Sequence, residues 1–277
     1  MLNRMSTLQL GLDNLQQEQD NTEYSAVIDW ISPLNFPAQQ ADYISWRQPG
    51  TGQWFLDSHE FTTWLETPKK TLFCPGIPGA GKTVIAATAI DHLKRMQSNS
   101  KVAVAYIYCN YKAKEDQSAS TFLAAILKQL AQGRPVMTEV TDLHERHSKY
   151  GTRPSLEDLY NALTLVLSKF SHTYIVVDAL DECRNDDDTR HQLLNKLRAL
   201  QQNGDVRLMA TSRFIPDIEA EFETAMKLEI LAREEDIERF VAGQIHRLPK
   251  CIRTDDKLQA EVQSRIAKAA EGMYVTH

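Results

Sequence analysis

Residues 71–96 read TLFCPGIPGAGKTVIAATAIDHLKRM. A short apolar run, Thr71–Cys74, reads as a strand, and Lys82–Met96 carries apolar residues at helical spacing. Between them, Gly76–Thr83 has the spacing GxxxxGK[ST], in the strand–turn–helix setting that this motif requires. Its glycines allow backbone N–H groups to turn inward around phosphates, and the helix start adds partial positive charge. The expected cradle is Gly76, Pro78, Gly79, Ala80, Gly81, Lys82, Thr83 and Val84. Lys82 is expected to reach the β- and γ-phosphates, and the Thr83 hydroxyl to bind Mg²⁺.

Further apolar segments follow, separated by helical patterns. VAVAYIYC (102–109), YIVVDAL (174–180), VRLMATSR (206–213) and a shorter MKLEI (226–230) read as strands. Ser155 and Asp158 open the helix PSLEDLYNALTLVLSKF in capping-box spacing. Strands alternating with helices predict parallel βαβ units. Two carboxylate-bearing sites then suggest themselves. Asp178 ends an apolar strand, where a Mg²⁺ ligand facing the phosphates would stand, and Asp181 and Glu182 follow within one turn. One of these two would polarise an attacking water, with Glu182 favoured. The segment VRLMATSR ends in Thr211, Ser212 and Arg213, and Arg213 is placed to sense or neutralise a γ-phosphate. His144 and His147 share a helix face and read as solvated, and Cys74 reads as a small buried residue. The run RNDDDT (184–189) reads as a solvated acidic loop, and LPKC (248–251) as a helix breaker or an approach to a base.

The bulk composition sets limits. A chain of 277 residues with 42% hydrophobic and 25% charged residues is ordinary for a globular protein. With 31 Lys plus Arg against 37 Asp plus Glu, the net charge of −6 gives no broad attraction to nucleic acid or anionic membrane. Its four cysteines form no CxxC pair, so neither a zinc site nor a disulfide framework is expected. The start MLNRMSTLQLGLDNLQQEQDN has no apolar leader core, and no run is long enough for a membrane span. The expectation is a cytoplasmic protein. Residues 1–22 form a polar lead. Residues 23–70 hold all four tryptophans and are expected to pack on the core at 71–231, with 232–277 beginning a helical annex.

GIPGAGKT, DALDE (178–182) and ATSR (210–213), in this order, resemble the NACHT branch of the STAND P-loop ATPases. The segment QPGTGQWFLDSHEFTTWLETPKKTLFCPGIPGAGKT (48–83) looks like the nephrocystin-like N-terminal form found in fungal NLR-like proteins, and the resemblance runs from Ile31 to Gly272. It implies an α/β P-loop fold of the additional-strand type, with ATP or ADP and Mg²⁺ as cofactors. It also implies slow hydrolysis, nucleotide-controlled self-association, and an adenine near Thr51 and Gly52. Such proteins usually continue into winged-helix and repeat parts, so a chain ending at EGMYVTH reads as a shortened relative. The alternative to a switch with turnover is a binding-only interaction module. A small-molecule kinase lacks a recognisable lid here, and a GTPase would need an aspartate two positions beyond Asn195-Lys196.

Overall fold

Five parallel strands lie in the order β2-β3-β4-β1-β5: β1 (Thr71–Pro75), β2 (Val102–Tyr108), β3 (His172–Asp178), β4 (Val206–Ser212) and β5 (Met226–Lys227). The computed structural model describes residues 22–97, 101–113, 117–183, 188–245, 252 and 254–269. The first four strands are apolar along almost their whole length, as strands covered on both faces must be. β4 is inserted between β1 and β3, which is the additional-strand arrangement. Its register puts Thr211 beside Cys74 and Ser212 beside Pro75. The polar end of β4 therefore stands between the glycine loop after β1 and the aspartate at the tip of β3.

MKLEI forms a shorter strand than its pattern suggests, since only Met226–Lys227 pairs regularly. Alternate amides nevertheless keep the direction: Leu228 N–H donates to Phe73 O, and Ile230 N–H to Pro75 O at 2.7 Å. Ile230 thus lies against the start of the glycine loop.

Among the described residues, eight α-helices precede β3. They are α1 (22–31), α2 (Phe36–Trp46), α3 (Gln53–Leu56), α4 (His59–Glu66), α5 (Lys82–Met96), α6 (Ala119–Ala131) and α7 (Thr138–Ser148), with α8 (Leu156–Leu167) leading directly into it. The capping box at Ser155 and Asp158 is present, with the Asp158 carboxylate accepting from Ser155 N–H at 3.0 Å. Sequence periodicity did not anticipate α1–α4, because their apolar residues serve several neighbours at once. Tyr24, Ile28, Phe36, Phe55, Phe61 and Trp64 join the same apolar cluster as the sheet. Trp64 is fully buried against Tyr174, with ring centroids 5.3 Å apart, and such a ring contributes about 3 kcal/mol by burial. The four tryptophans are not all packed inside, however. Trp46 is 63% exposed and meets the Tyr43 ring edge-on.

After β3 come α9 (Thr189–Asn203), α10 (Pro216–Glu221), α11 (Glu234–Gln244) and α12 (Asp256–Ala269). The last two pack on each other. Ala232, Ile237 and Val241 form a small apolar cluster of their own, separate from the main core. Among the described residues, no helix is long and apolar enough to cross a membrane. The polar lead up to Asn21, the stretch LPKC and most of RNDDDT lie outside the described residues.

Candidate functional site at the strand tips

The glycine loop leaves β1 and turns directly into α5. Gly79 and Gly81 have φ of 78° and 87°, the left-handed region that a side chain disfavours, and Gly81 caps α5 in that conformation. At Gly76 the constraint is space: a Cβ there would come 2.6 Å from Ile230 O. Gly76 N–H donates to Ser212 O, and Ala80 N–H closes a turn on Ile77 O. The Lys82 ammonium folds back over the loop, donating to Gly76 O and Ile77 O at 2.8 Å each. Burial lowers its pKa, while the carboxylates of Asp181, Asp178 and Glu182 pull it the other way.

Opposite stands Asp178, buried at the tip of β3. Thr211 donates to its Oδ1 at 2.6 Å, and the same hydroxyl accepts from Ala179 N–H at 2.9 Å. Ala179 is held at φ 54°, which swings the following acids back over the tip. Thr83 hydrogen-bonds the Asp178 carboxylate as well. Burial still dominates, raising Asp178 to a pKa of about 6 against the pull of Thr211, Thr83 and Lys82. A carboxylate this short of compensation, touching Thr83 in the first turn of α5, suits a bound cation. Among the described residues there is no cluster of three or more His, Cys, Asp or Glu that would hold a metal alone. Mg²⁺ shared with phosphates needs only one or two protein oxygens, so the Thr83–Asp178 pair fits it.

Asp181 and Glu182 sit on the 3-10 turn Leu180–Glu182 and face Arg213. Asp181 is fully engaged: Oδ1 accepts from Arg213 N–H at 3.0 Å and Oδ2 lies 3.0 Å from Arg213 Nε. Glu182 is freer, 3.9 Å from the Arg213 guanidinium and accepting from Tyr111 N–H at 3.4 Å. Tyr43 and Tyr108, 4.7 Å apart, wall this side, and the charges of Asp178 and Glu182 help to raise the Tyr43 phenol after burial. Cys109 and Cys183 are free buried thiols in hydrogen-bond contact just behind the acids. The Ser212 hydroxyl is buried and finds no partner among the described residues.

Thr51 and Gly52 lie farther along α5 than the phosphate loop. A Cβ on Gly52 would come 3.1 Å from Ile85 Cδ1, so this backbone rests on α5 just past Thr83. The Thr51 hydroxyl is spent inside its own turn, donating to Gln48 O at 2.8 Å. Several contributors were given no role of their own by the sequence. Thr211 was one polar residue at a strand end, Ile230 one apolar residue in a weak strand, and Tyr43 one of nine tyrosines.

Among curated proteins, the chain is 23% identical over 240 residues to the vegetative incompatibility protein HET-E-1 of Podospora anserina. That alignment covers 80% of this chain but only 17% of HET-E-1. Among solved structures, the Walker-type ATPase paby2304 of Pyrococcus abyssi superposes with a TM-score of 0.50 at 11% identity, covering 82% of this chain and 66% of that one. The Aeropyrum pernix ORC1 protein, solved in complex with DNA, gives 0.46 at 18% identity, with 76% and 57% covered. At 11% identity the paby2304 superposition shows the fold alone. The family described as nephrocystin 3, N-terminal, matches residues 50–213, a span that covers more than half the chain and reaches from Gly50 to Arg213. The chain belongs to that nephrocystin 3 N-terminal family, within the NACHT-type P-loop NTPases.

Proposed function

We propose that this protein is a Mg²⁺-dependent ATP-binding switch that hydrolyses ATP slowly and uses the bound nucleotide to control assembly. The observation that carries this reading is the convergence, at the carboxyl ends of β1, β3 and β4, of Lys82, the Thr83–Asp178 pair and the Asp181–Glu182–Arg213 group. The backbone from Gly76 through Val84 would hold the phosphates, and Lys82 would leave its loop carbonyls for the β- and γ-oxygens. Thr83 and Asp178 would hold Mg²⁺, which when bound supplies charge neutralisation at the phosphate oxygens.

Glu182 is the better candidate for orienting water, because the Asp181 carboxylate is already committed to the backbone and side chain of Arg213. Arg213 would serve a γ-phosphate only by giving up part of its hold on Asp181. That competition favours slow turnover, and it equally favours the second reading, a module that binds nucleotide without cutting it. Thr51 and Gly52 would flank the base. The name of HET-E-1 points to vegetative incompatibility, self-association or NLR-like partners follow from the family resemblance, and the acidic balance argues against nucleic acid as a ligand. We place the protein in the cytoplasm on its cysteine usage.

The test is to purify the protein beside Lys82→Ala, denature both, and identify any released nucleotide by chromatography. Wild type should carry ADP or ATP and the variant none; saturation at a hundredfold over Kd would stabilise the fold by about 2.7 kcal/mol. Phosphate release from Mg·ATP above the Lys82→Ala background separates the switch from the binding-only module. A wild type still empty after incubation with Mg·ATP would sink both.

A further inference from the structure

Helix α11 touches the rest of the molecule along a polar seam with a regular order. Its N-cap Arg233 and its residues Asp236, Arg239 and Gly243 recur every three or four positions, so they share one face. The opposing segment is met in the reverse direction. The Arg233 guanidinium lies over the Trp54 ring at 4.4 Å; Asp236 Oδ2 accepts from Gly52 N–H at 2.8 Å; and Arg239 donates to Gly50 O at 2.9 Å. At Gly243 a side chain would run into the Gln48 amide. Asp236 is buried and lies 3.8 Å from Arg239, and its charge also supports Arg47, whose guanidinium donates twice to Thr51 O. Asp236 therefore faces Arg239 directly and adds to the field at Arg47, where Asp91 is the stronger negative neighbour.

What this seam holds is the loop that rests on Ile85 and Thr88 of α5. The chain leading into α11 also reaches the phosphate loop, where Ile230 O fills the space beside Gly76. The stretch 230–243 thus brackets both ends of the glycine-loop-to-helix unit. Ile230 belongs to the main core, but Ile237 and Val241 of α11 cluster with Ala232 apart from it, so the hold of α11 on the loop depends on polar contacts that can part without opening that core.

We propose that Asp236 is the positioning residue of the 48–52 loop, and that α11 acts through Asp236 and Arg239 as a latch setting how fast bound nucleotide leaves. The release role rests on the nucleotide reading above; the latch itself does not. The test measures two quantities on the full chain. The first is amide hydrogen exchange at Gly52 without nucleotide. The second is the uptake and release of a fluorescent ribose-labelled ATP with Mg²⁺.

Asp236→Ala leaves the Gly52 N–H unpaired and removes the carboxylate beside Arg239. It should raise exchange at Gly52 and speed release by about tenfold each, with uptake nearly unchanged. Asp236→Asn keeps an acceptor and should restore part of both. Arg239→Ala, at a half-exposed position that does not threaten folding, should speed release by about threefold. Unchanged Gly52 exchange in Asp236→Ala would overturn the latch. Raised exchange with unchanged release would overturn its link to the site. A wild type that takes up no labelled ATP would overturn the nucleotide reading and the release role, while Gly52 exchange would still decide whether Asp236 holds the loop.

Discussion

Asp178 and Asp181 are neighbours on the same strand tip, yet the fold treats them in opposite ways. Asp178 is buried with only hydroxyl partners and one nearby lysine, and its proton is held up to about pH 6. Asp181 is almost as well covered, but it has the N–H and guanidinium of Arg213 on its two oxygens. Depth is similar; compensation is not. A carboxylate kept from water without a cationic partner stores unfavourable energy that a ligand cation can relieve, whereas one already paired has little to gain. The tip therefore has a demanding half and a satisfied half, and three substitutions test that division.

The largest expected effect comes from Asp178→Asn in protein free of metal and nucleotide. The folded-state pKa of Asp178 lies above its ordinary value of 3.8, so its favourable contribution is complete below that value and is lost as pH rises through about 6. Above that, the native state carries a charge it would be better without. The asparagine removes this penalty and keeps an acceptor for Thr211. At pH 7 the variant should be more stable than wild type by up to about 3 kcal/mol, and the gap should close toward pH 4. Urea unfolding across this range checks it. A less stable variant at pH 7, or a gap independent of pH, would show that Asp178 is compensated in some other way.

Next comes Thr211→Val, which keeps the shape but removes the hydroxyl that donates to Asp178 and accepts from Ala179 N–H. A buried N–H loses its partner, so stability at pH 7 should fall by about 2 kcal/mol. The Thr211 bond also holds the Asp178 pKa down, and its loss should move the pH dependence of unfolding upward. A change below about 0.5 kcal/mol would mean that Ala179 and Asp178 do not depend on this side chain.

The same contrast explains what could be read from the sequence. The glycine loop, Asp178 and Arg213 were legible because each follows an apolar run, and strand ends in a parallel sheet gather at one edge. The position of β4 between β1 and β3 followed from the motif order only through the family resemblance, since strand order is a long-range property. The helices α1–α4 escaped periodicity because Phe55, Phe61 and Trp64 pack on one another and on the sheet, not along one stripe. Asp236 was invisible for a different reason. It sits in REED, among acids that read as a solvated helix start, and nothing local says that it alone reaches a backbone N–H 184 positions away.

Arg213→Ala should have the smallest effect on stability. The guanidinium is half exposed, and Asp181 keeps the N–H of residue 213 after the side chain is gone. Such a pair contributes no more than about 1 kcal/mol, and added salt should shrink the difference further. Thermal unfolding at low and high ionic strength measures both. If the loss instead reached the size expected for Thr211→Val and resisted salt, Arg213 would be part of the scaffold, fixed in place by Asp181 and unfit to turn toward a phosphate. A small, salt-sensitive loss would leave the arginine free to exchange partners, the behaviour that a nucleotide sensor on the satisfied half of the tip requires.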